Sequence, residues 1–192
     1  MVSQAKILLT PEEYLASERK SEAKSEYFGG EVFAMVGASK RHNLIAANLI
    51  RILGNQLLDR PCNVYPSDMR VKINATGKYT YPDIVVACDE ERFDDEEKDT
   101  LLNPVVIIEV LSESTEAYDR GKKFEHYQRL ESLTDYLLVA QDPYRVEQYV
   151  RQEGREWRYS EYHNAEDVVK VNSIGCALAL KDVYAKVEKS LL

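Results

Sequence analysis

Apolar side chains between residues 41 and 58, in "RHNLIAANLIRILGNQLL", recur every three to four positions: Leu44, Ala47, Ile50 (or Leu49), Leu53 and Leu57. That period predicts a long amphipathic helix. A second helix is announced by "TPEEYLASERK", residues 10–20, where Thr10 can cap, Pro11 suits the first turn and Glu13 completes a capping box. "DRGKKFEHYQRLES" reads as a third, weakened by Gly121 near its start. Elsewhere the period shortens. "SEYFGGEVFAM" reads as a hairpin around Gly29-Gly30, and Met69 to Ile73 alternate as a strand followed by the turn "TGKY". "YPDIVVAC" is the next strand, with Pro82 tolerated at its start. "NPVVIIEVLSEST" holds an apolar run from 105 to 111, "DYLLVAQ" and "VEQYVRQ" flank the turn "DPYR", and "EWRYSEYH" is a further strand. A short helix closes the chain from about Leu180.

The order is helix, hairpin, helix, three strands, helix, strands. It predicts one α/β (α+β) domain over residues 1–192, built on a mixed central sheet. There is no regular βαβ alternation and no Gly-rich phosphate loop. A chain of 192 residues with 44% hydrophobic and 30% charged residues can bury a sizeable core. No apolar run approaches the roughly 20 residues of a membrane span, and the N-terminus makes a poor signal peptide. Cys62, Cys88 and Cys176 are scattered and odd in number, which points to a reduced, cytoplasmic setting.

A net charge of −8 argues against a nucleic-acid partner until its distribution is considered. The stretch "DEERFDDEEKD", residues 89–99, carries −6 of it, so the rest of the chain is close to neutral. Such a run reads as a solvated loop.

Glu109 breaks the buried run 105–111, and an unpaired carboxylate there costs several kcal/mol or gives up its charge. If the strands at about 83–88 and 105–111 pair antiparallel, Asp83 and Glu109 meet at one sheet edge. Two close carboxylates repel unless a cation lies between them, and a hard divalent ion that also takes the Val110 carbonyl satisfies both. The following helix offers Lys122 and Lys123 as positive groups. Asp119, Lys123 and Tyr127, spaced by four, share one stripe of it.

These residues resemble a known family. Asp83 in "YPDIVV", Glu109 in "IIEVLS", and "YDRGKKFEHY" followed by "DYLLVAQDP" resemble the PD-(D/E)xK nuclease superfamily, in its branch of restriction-endonuclease-like proteins formerly catalogued as a domain of unknown function. The likeness runs from "TPEEYL" through "GGEVFAM" and "RHNLIAANL" to the block 81–150. It implies a restriction-endonuclease-like core and a Mg2+-dependent endonuclease, with Mn2+ as a substitute ion, acting on DNA. Asp83 and Glu109 would be the metal ligands. Leu111 stands two positions after Glu109, where the superfamily has lysine. In the resembling branch that lysine moves to the next helix, where Lys123 stands.

His42 falls where the same resemblance places a histidine; positioning water or phosphate competes with a plain helix-start role. Glu26 and Glu31 flank the Gly-Gly turn as accessory acids or exposed hairpin charges, Asp119 joins the Lys123 cluster, and Asp68 is a weaker candidate. Ser112, Ser114 and Thr115 are better explained as caps of the next helix than as nucleophiles. A homodimer would suit cleavage of two strands. From a different class, an interaction or nucleic-acid-binding module without turnover would keep the fold and tolerate loss of Asp83.

Overall fold

In the computed structural model, which describes residues 8–142 and 144–188, α1 (Pro11–Glu18) begins on the anticipated box. The Glu13 amide donates to Thr10 Oγ1 at 3.2 Å and the Thr10 amide to Glu13 Oε2 at 2.8 Å. Strands β1 (Ser25–Phe28) and β2 (Glu31–Ala34) form the hairpin. Its turn needs positive φ at two successive residues, +60° at Gly29 and +88° at Gly30, which only glycine adopts freely.

Helix α2 (Lys40–Leu57) buries Ile45, Leu49, Leu53 and Leu57. Leu53, Leu57 and the alternative Leu49 are buried as expected; at the start of the helix the i, i+4 row of branched residues meets the sheet, so Ile45 replaces Leu44 and Ala47 is left exposed. There follow β3 (Cys62–Pro66), β4 (Arg70–Ile73), β5 (Lys78–Thr80), β6 (Ile84–Cys88), β7 (Thr100–Leu101) and β8 (Val106–Val110). Helix α3 spans residues 116–127, with a π-helical turn at Asp119–Lys123 between α-helical stretches Glu116–Tyr118 and Phe124–Tyr127. Then come β9 (Asp135–Val139), β10 (Val146–Arg151), β11 (Trp157–Tyr162), β12 (Val168–Val171), β13 (Cys176–Ala179) and α4 (Leu180–Val183).

The central sheet runs β11-β10-β9-β8-β6-β3, with only β8 and β9 parallel. Helix α3 supplies the crossover that a parallel pair requires. A second sheet, β2-β1-β5-β4-β7, and the β12–β13 hairpin pack around it. Alternation sorts the central strands into two cores. Ile84, Val86, Val106, Ile108 and Val110 meet α2 and the C-terminal elements, whereas Val85, Ala87, Ile107 and Leu111 meet Val71, Ile73, Phe124 and Tyr127. Three tyrosines, Tyr14, Tyr27 and Tyr79, make a third cluster between α1 and the second sheet. The tyrosine-rich composition therefore serves packing.

Two features go beyond the sequence pattern. Cys62 and Cys88 are disulfide-bonded, because the antiparallel register of β3 and β6 sets them directly opposite; only Cys176 is a free, buried thiol. The acidic stretch is a largely exposed loop, as expected, but it is anchored through three of its carboxylates. Arg19 holds Asp95 and Asp99 at 2.7 and 2.8 Å, Arg70 holds Asp99 at 2.8 Å, and Lys72 holds Asp94 at 2.6 Å, so the run straps α1 to the second sheet. Strands β3, β5, β7, β12 and β13 go beyond the pattern because they are short: none exceeds five residues, and the burial alternation of β12 and β13 has little counterpart in their residue types, VVKV and CALA. The N-terminal leader reading lies on residues 1–7, outside the described residues, as does Pro143 of the "DPYR" turn. Among the described residues no helix is long and apolar enough to cross a membrane.

Candidate active site

Strands β6 and β8 pair Ile84 with Ile108 and Val85 with Ile107, a register that carries Asp83 opposite Glu109. Asp83 stands one residue before β6, where the ladder has ended, and its side chain takes over the strand's role: the Val110 amide donates to Asp83 Oδ2 at 2.7 Å. His42, in the first turn of α2, brings Nε2 to 3.1 Å from the same oxygen. Its Nδ1 is buried without a hydrogen-bond partner among the described residues. Nothing in the packing requires a histidine with an idle nitrogen, so the contact to Asp83 is what the residue supplies. That contact fixes the orientation of the carboxylate, as outer partners of a ligand group do.

Glu109 is 3% exposed and has a protein partner. Lys123 Nζ lies 2.8 Å from Oε1, and the Tyr127 hydroxyl donates to the same atom at 2.7 Å. Lys123 also lies 3.5 Å from Asp119 Oδ1 and 3.5 Å from Glu26 Oε1. The π-turn of α3 widens the helix where Asp119 and Lys123 reach the sheet, the kind of irregularity that recurs at functional sites. Lys122 points to solvent, so the choice between the two lysines falls on Lys123.

Beneath this layer Glu26 accepts from Lys78 Nζ at 2.7 Å and from the Thr80 hydroxyl. Lys78 is 1% exposed. No sequence signal marks it, since a single lysine in a three-residue strand is ordinarily a surface charge. Both oxygens of Glu26 are thereby engaged, so it braces Lys123 instead of offering itself to a metal. Glu31 pairs across the hairpin with Phe28, two steps nearer the turn than Glu26, and is not part of the cleft lining. Asp68 is exposed and holds Lys24 at 2.9 Å, away from the cluster. Thr115 sits at the helix start without a side-chain capping bond, and the Ser112, Ser114 and Thr115 hydroxyls bond one another instead, correcting the capping role.

The electrostatics follow from burial. Burial pushes the Glu109 carboxyl up to about 8; Lys123 opposes this, while Asp119 and Asp83 add to it. Burial also raises Asp119, against the pull of Lys123. Burial would strip Lys123 of its proton, but Glu109, Glu26 and Asp119 together hold it charged, well above the ordinary lysine range. Four carboxyl groups (Glu26, Asp83, Asp119, Glu109) face two ammonium groups (Lys78, Lys123), and Glu109, held up to about 8, keeps its proton at neutral pH. A divalent cation would displace that proton and be matched by the two negative charges then in excess. The bonds above use Asp83 Oδ2 and Glu109 Oε1, which leaves Asp83 Oδ1, Glu109 Oε2 and the Val110 carbonyl as hard oxygen donors. No group of three or more His, Cys, Asp or Glu that could hold a metal ion occurs among the described residues. The metal that such a donor set could serve is Mg2+, which takes one or two carboxylates and fills its shell with water and phosphate oxygens. The set does not suit a metal that demands an all-protein cage.

Glu26 gives a pH signature. Burial alone would raise its carboxyl, yet Lys123 and Lys78 overcome that and hold it at about 2. A carboxyl depressed on folding stabilises the protein fully above its unfolded pKa near 4.3, and this contribution is lost as pH falls through about 2. It is worth on the order of 3 kcal/mol at neutral pH. The difference in unfolding free energy between wild type and Glu26→Gln should therefore shrink between pH 5 and pH 2. Chemical denaturation at each pH reads this; a difference that stays constant would remove Glu26 from the ion-pair network.

Glu26, His42, Asp83, Glu109, Asp119 and Lys123 line one cleft of about 900 Å3, walled by residues 33–39, α2 and the start of α3. Comparison with known proteins places this architecture. The family model Uma2, described as "Putative restriction endonuclease", matches residues 11–181. Two proteins of Synechocystis sp. are similar. "Uncharacterized protein slr1290" is 38% identical over 176 residues, 92% of this chain and 91% of that one. "Uncharacterized protein sll1609" is 39% identical over 154 residues, 80% and 87% of the respective chains. Among solved structures, "a putative nuclease belonging to DUF820" from Anabaena variabilis superimposes with a TM-score of 0.76 at 21% identity, covering 94% of this chain and 99% of that one. The fold is thus restriction-endonuclease-like, and the chain belongs to the Uma2 family of restriction-endonuclease-like proteins.

Proposed function

We propose that this chain is a Mg2+-dependent nuclease that hydrolyses DNA phosphodiester bonds. The observation that carries the reading is the register of β6 and β8, which brings Asp83 opposite Glu109 at the floor of a cleft with a surplus of negative charge. Asp83 and Glu109 would hold the cation, with the Val110 carbonyl beside them. Mg2+ or Mn2+ bound there supplies Lewis acidity toward a phosphate oxygen and a lowered pKa for water.

The chain's own residues do the rest. His42 and the Val110 amide hold one oxygen of Asp83, so the other is presented to the cleft. Tyr127 fixes Glu109 from the opposite side of the sheet edge. Lys123, kept charged by three carboxylates, is the cation that can lean toward the non-bridging oxygens as negative charge develops on phosphorus. Glu26 and Lys78 brace it from below.

Purified protein should cleave plasmid or oligonucleotide DNA in Mg2+ or Mn2+, and EDTA should stop it. Absence of cleavage in either ion would reject the nuclease reading. One observation favours a binding module without turnover: Glu109 already has Lys123 and Tyr127 as partners and does not need a metal to be satisfied. Such a module would bind DNA equally in EDTA.

A further inference from the structure

Two aromatic rings border the cleft at Glu26. Phe33 stands directly across the hairpin from Glu26, so both side chains share a face, and its ring is 48% exposed. It has no ring partner among the described residues, unlike Phe28, which packs on His126. Tyr118 is 37% exposed and brings its hydroxyl to 3.5 Å from Glu26 Oε2. The same wall continues through Val36, which is 78% exposed, and faces Ala47 and Ile50 of α2. A soluble domain leaves so much apolar surface beside a charged centre when something is to cover it.

The cations argue about what that something is. Duplex-binding proteins neutralise many phosphates with lysine and arginine. Among the described residues only Lys24 and Lys123 line this cleft as cations. Lys24 is held by Asp68 at 2.9 Å and by Ser67, and Lys123 is tied to three carboxylates. Lys123 can serve the one reacting phosphate, which leaves Lys24 alone in the cleft for the rest of a backbone. Beyond the reacting phosphate, this cleft offers apolar and stacking contacts, and those require a base whose face is bare.

We infer that the cleft contains a nucleobase subsite, formed by Phe33 and Tyr118 with the apolar wall at Val36, Ala47 and Ile50, which takes an unpaired base of single-stranded DNA. The inference rests on the nuclease reading above and names its substrate class. A 900 Å3 cleft accommodates one or two nucleotides beside the carboxylates. The base next to the reacting phosphate stacks on Phe33, and the strand leaves along the α2 side. Affinity should depend only weakly on salt, because few phosphates are neutralised.

The test is fluorescence anisotropy of a labelled 12-mer in Ca2+, as a single strand, as a duplex and with an abasic position walked along it. Cleavage is read separately in Mg2+. Single-stranded DNA should bind at least about 5-fold tighter than duplex. Phe33→Ala should weaken it by a similar factor, Phe33→Tyr should not, and the Phe33→Ala loss should vanish on the oligonucleotide whose abasic position itself weakens wild type most. The thermal midpoint of Phe33→Ala should match wild type, because the ring is half in solvent. Duplex bound as tightly as single strand, a Phe33→Ala loss that persists on every abasic strand, or no binding of any strand overturns the subsite. Cleavage seen in those cases leaves the nuclease reading intact. Base-dependent binding without cleavage in Mg2+ or Mn2+ keeps the subsite and rejects the nuclease.

Discussion

Lys123→Met should destabilise the protein by about 3–5 kcal/mol, the usual cost of removing one partner from a buried ion pair. The side chain lies among Glu109, Asp119 and Glu26 with 6% of its surface exposed, and it is the cation that all three share. Methionine fills the volume but leaves three carboxylates facing one another. A domain of this size has about 5–15 kcal/mol in total, so the loss is a large part of its stability. Adding Glu109→Gln to Lys123→Met should recover some of it, because one uncompensated charge is removed. Denaturant unfolding of the two single variants and the double variant measures the coupling. If the two losses simply add, Lys123 and Glu109 do not act on each other.

Asp83→Asn separates charge from scaffold and should lower cleavage by at least about 10²–10³-fold. Asparagine keeps an oxygen that can accept from the Val110 amide and lie near His42, so the end of β6 should stay in place. What disappears is the negative charge. The melting temperature of the variant should stay within a few degrees of wild type while the rate constant falls. A variant that cleaves at the wild-type rate would remove Asp83 from the reaction.

Much of this site is written locally. Asp83 and Glu109 were paired from two strands alone, because an antiparallel register between neighbouring strands leaves little freedom and a charge in an apolar run stands out. Lys123 could be picked from one helical stripe with Asp119 and Tyr127, and the π-turn only sharpened that geometry. The brace beneath it was not legible. Lys78 and Thr80 lie on a three-residue strand, and Glu26 meets them through a sheet whose strand order, β2-β1-β5-β4-β7, no local pattern dictates.

Helix α2 buries Leu49, Leu53 and Leu57 as the pattern implies, and departs from it only at its start, where Ile45 is buried in place of Leu44 and Ala47 is exposed. Alanine and leucine are both apolar, and only the sheet decides which row it covers; the row it left exposed became a wall of the cleft. Cys62 and Cys88 are 26 residues apart, a spacing without meaning until β3 lies on β6. The acidic stretch is the solvated loop its composition implies, but its anchors are not legible for a similar reason. Its partners Arg19, Arg70 and Lys72 come from α1 and β4, and composition cannot show that charges in a run are spoken for.

The measurement that bears most directly on the shared carboxylate site is Mg2+ titration calorimetry of wild type beside Asp83→Asn and Glu109→Gln. Saturable binding by wild type, weakened at least about tenfold in both variants while their melting curves stay cooperative, is the predicted result. No binding by wild type, or binding unchanged by either substitution, would contradict it and leave Glu109 as the buried partner of Lys123 alone.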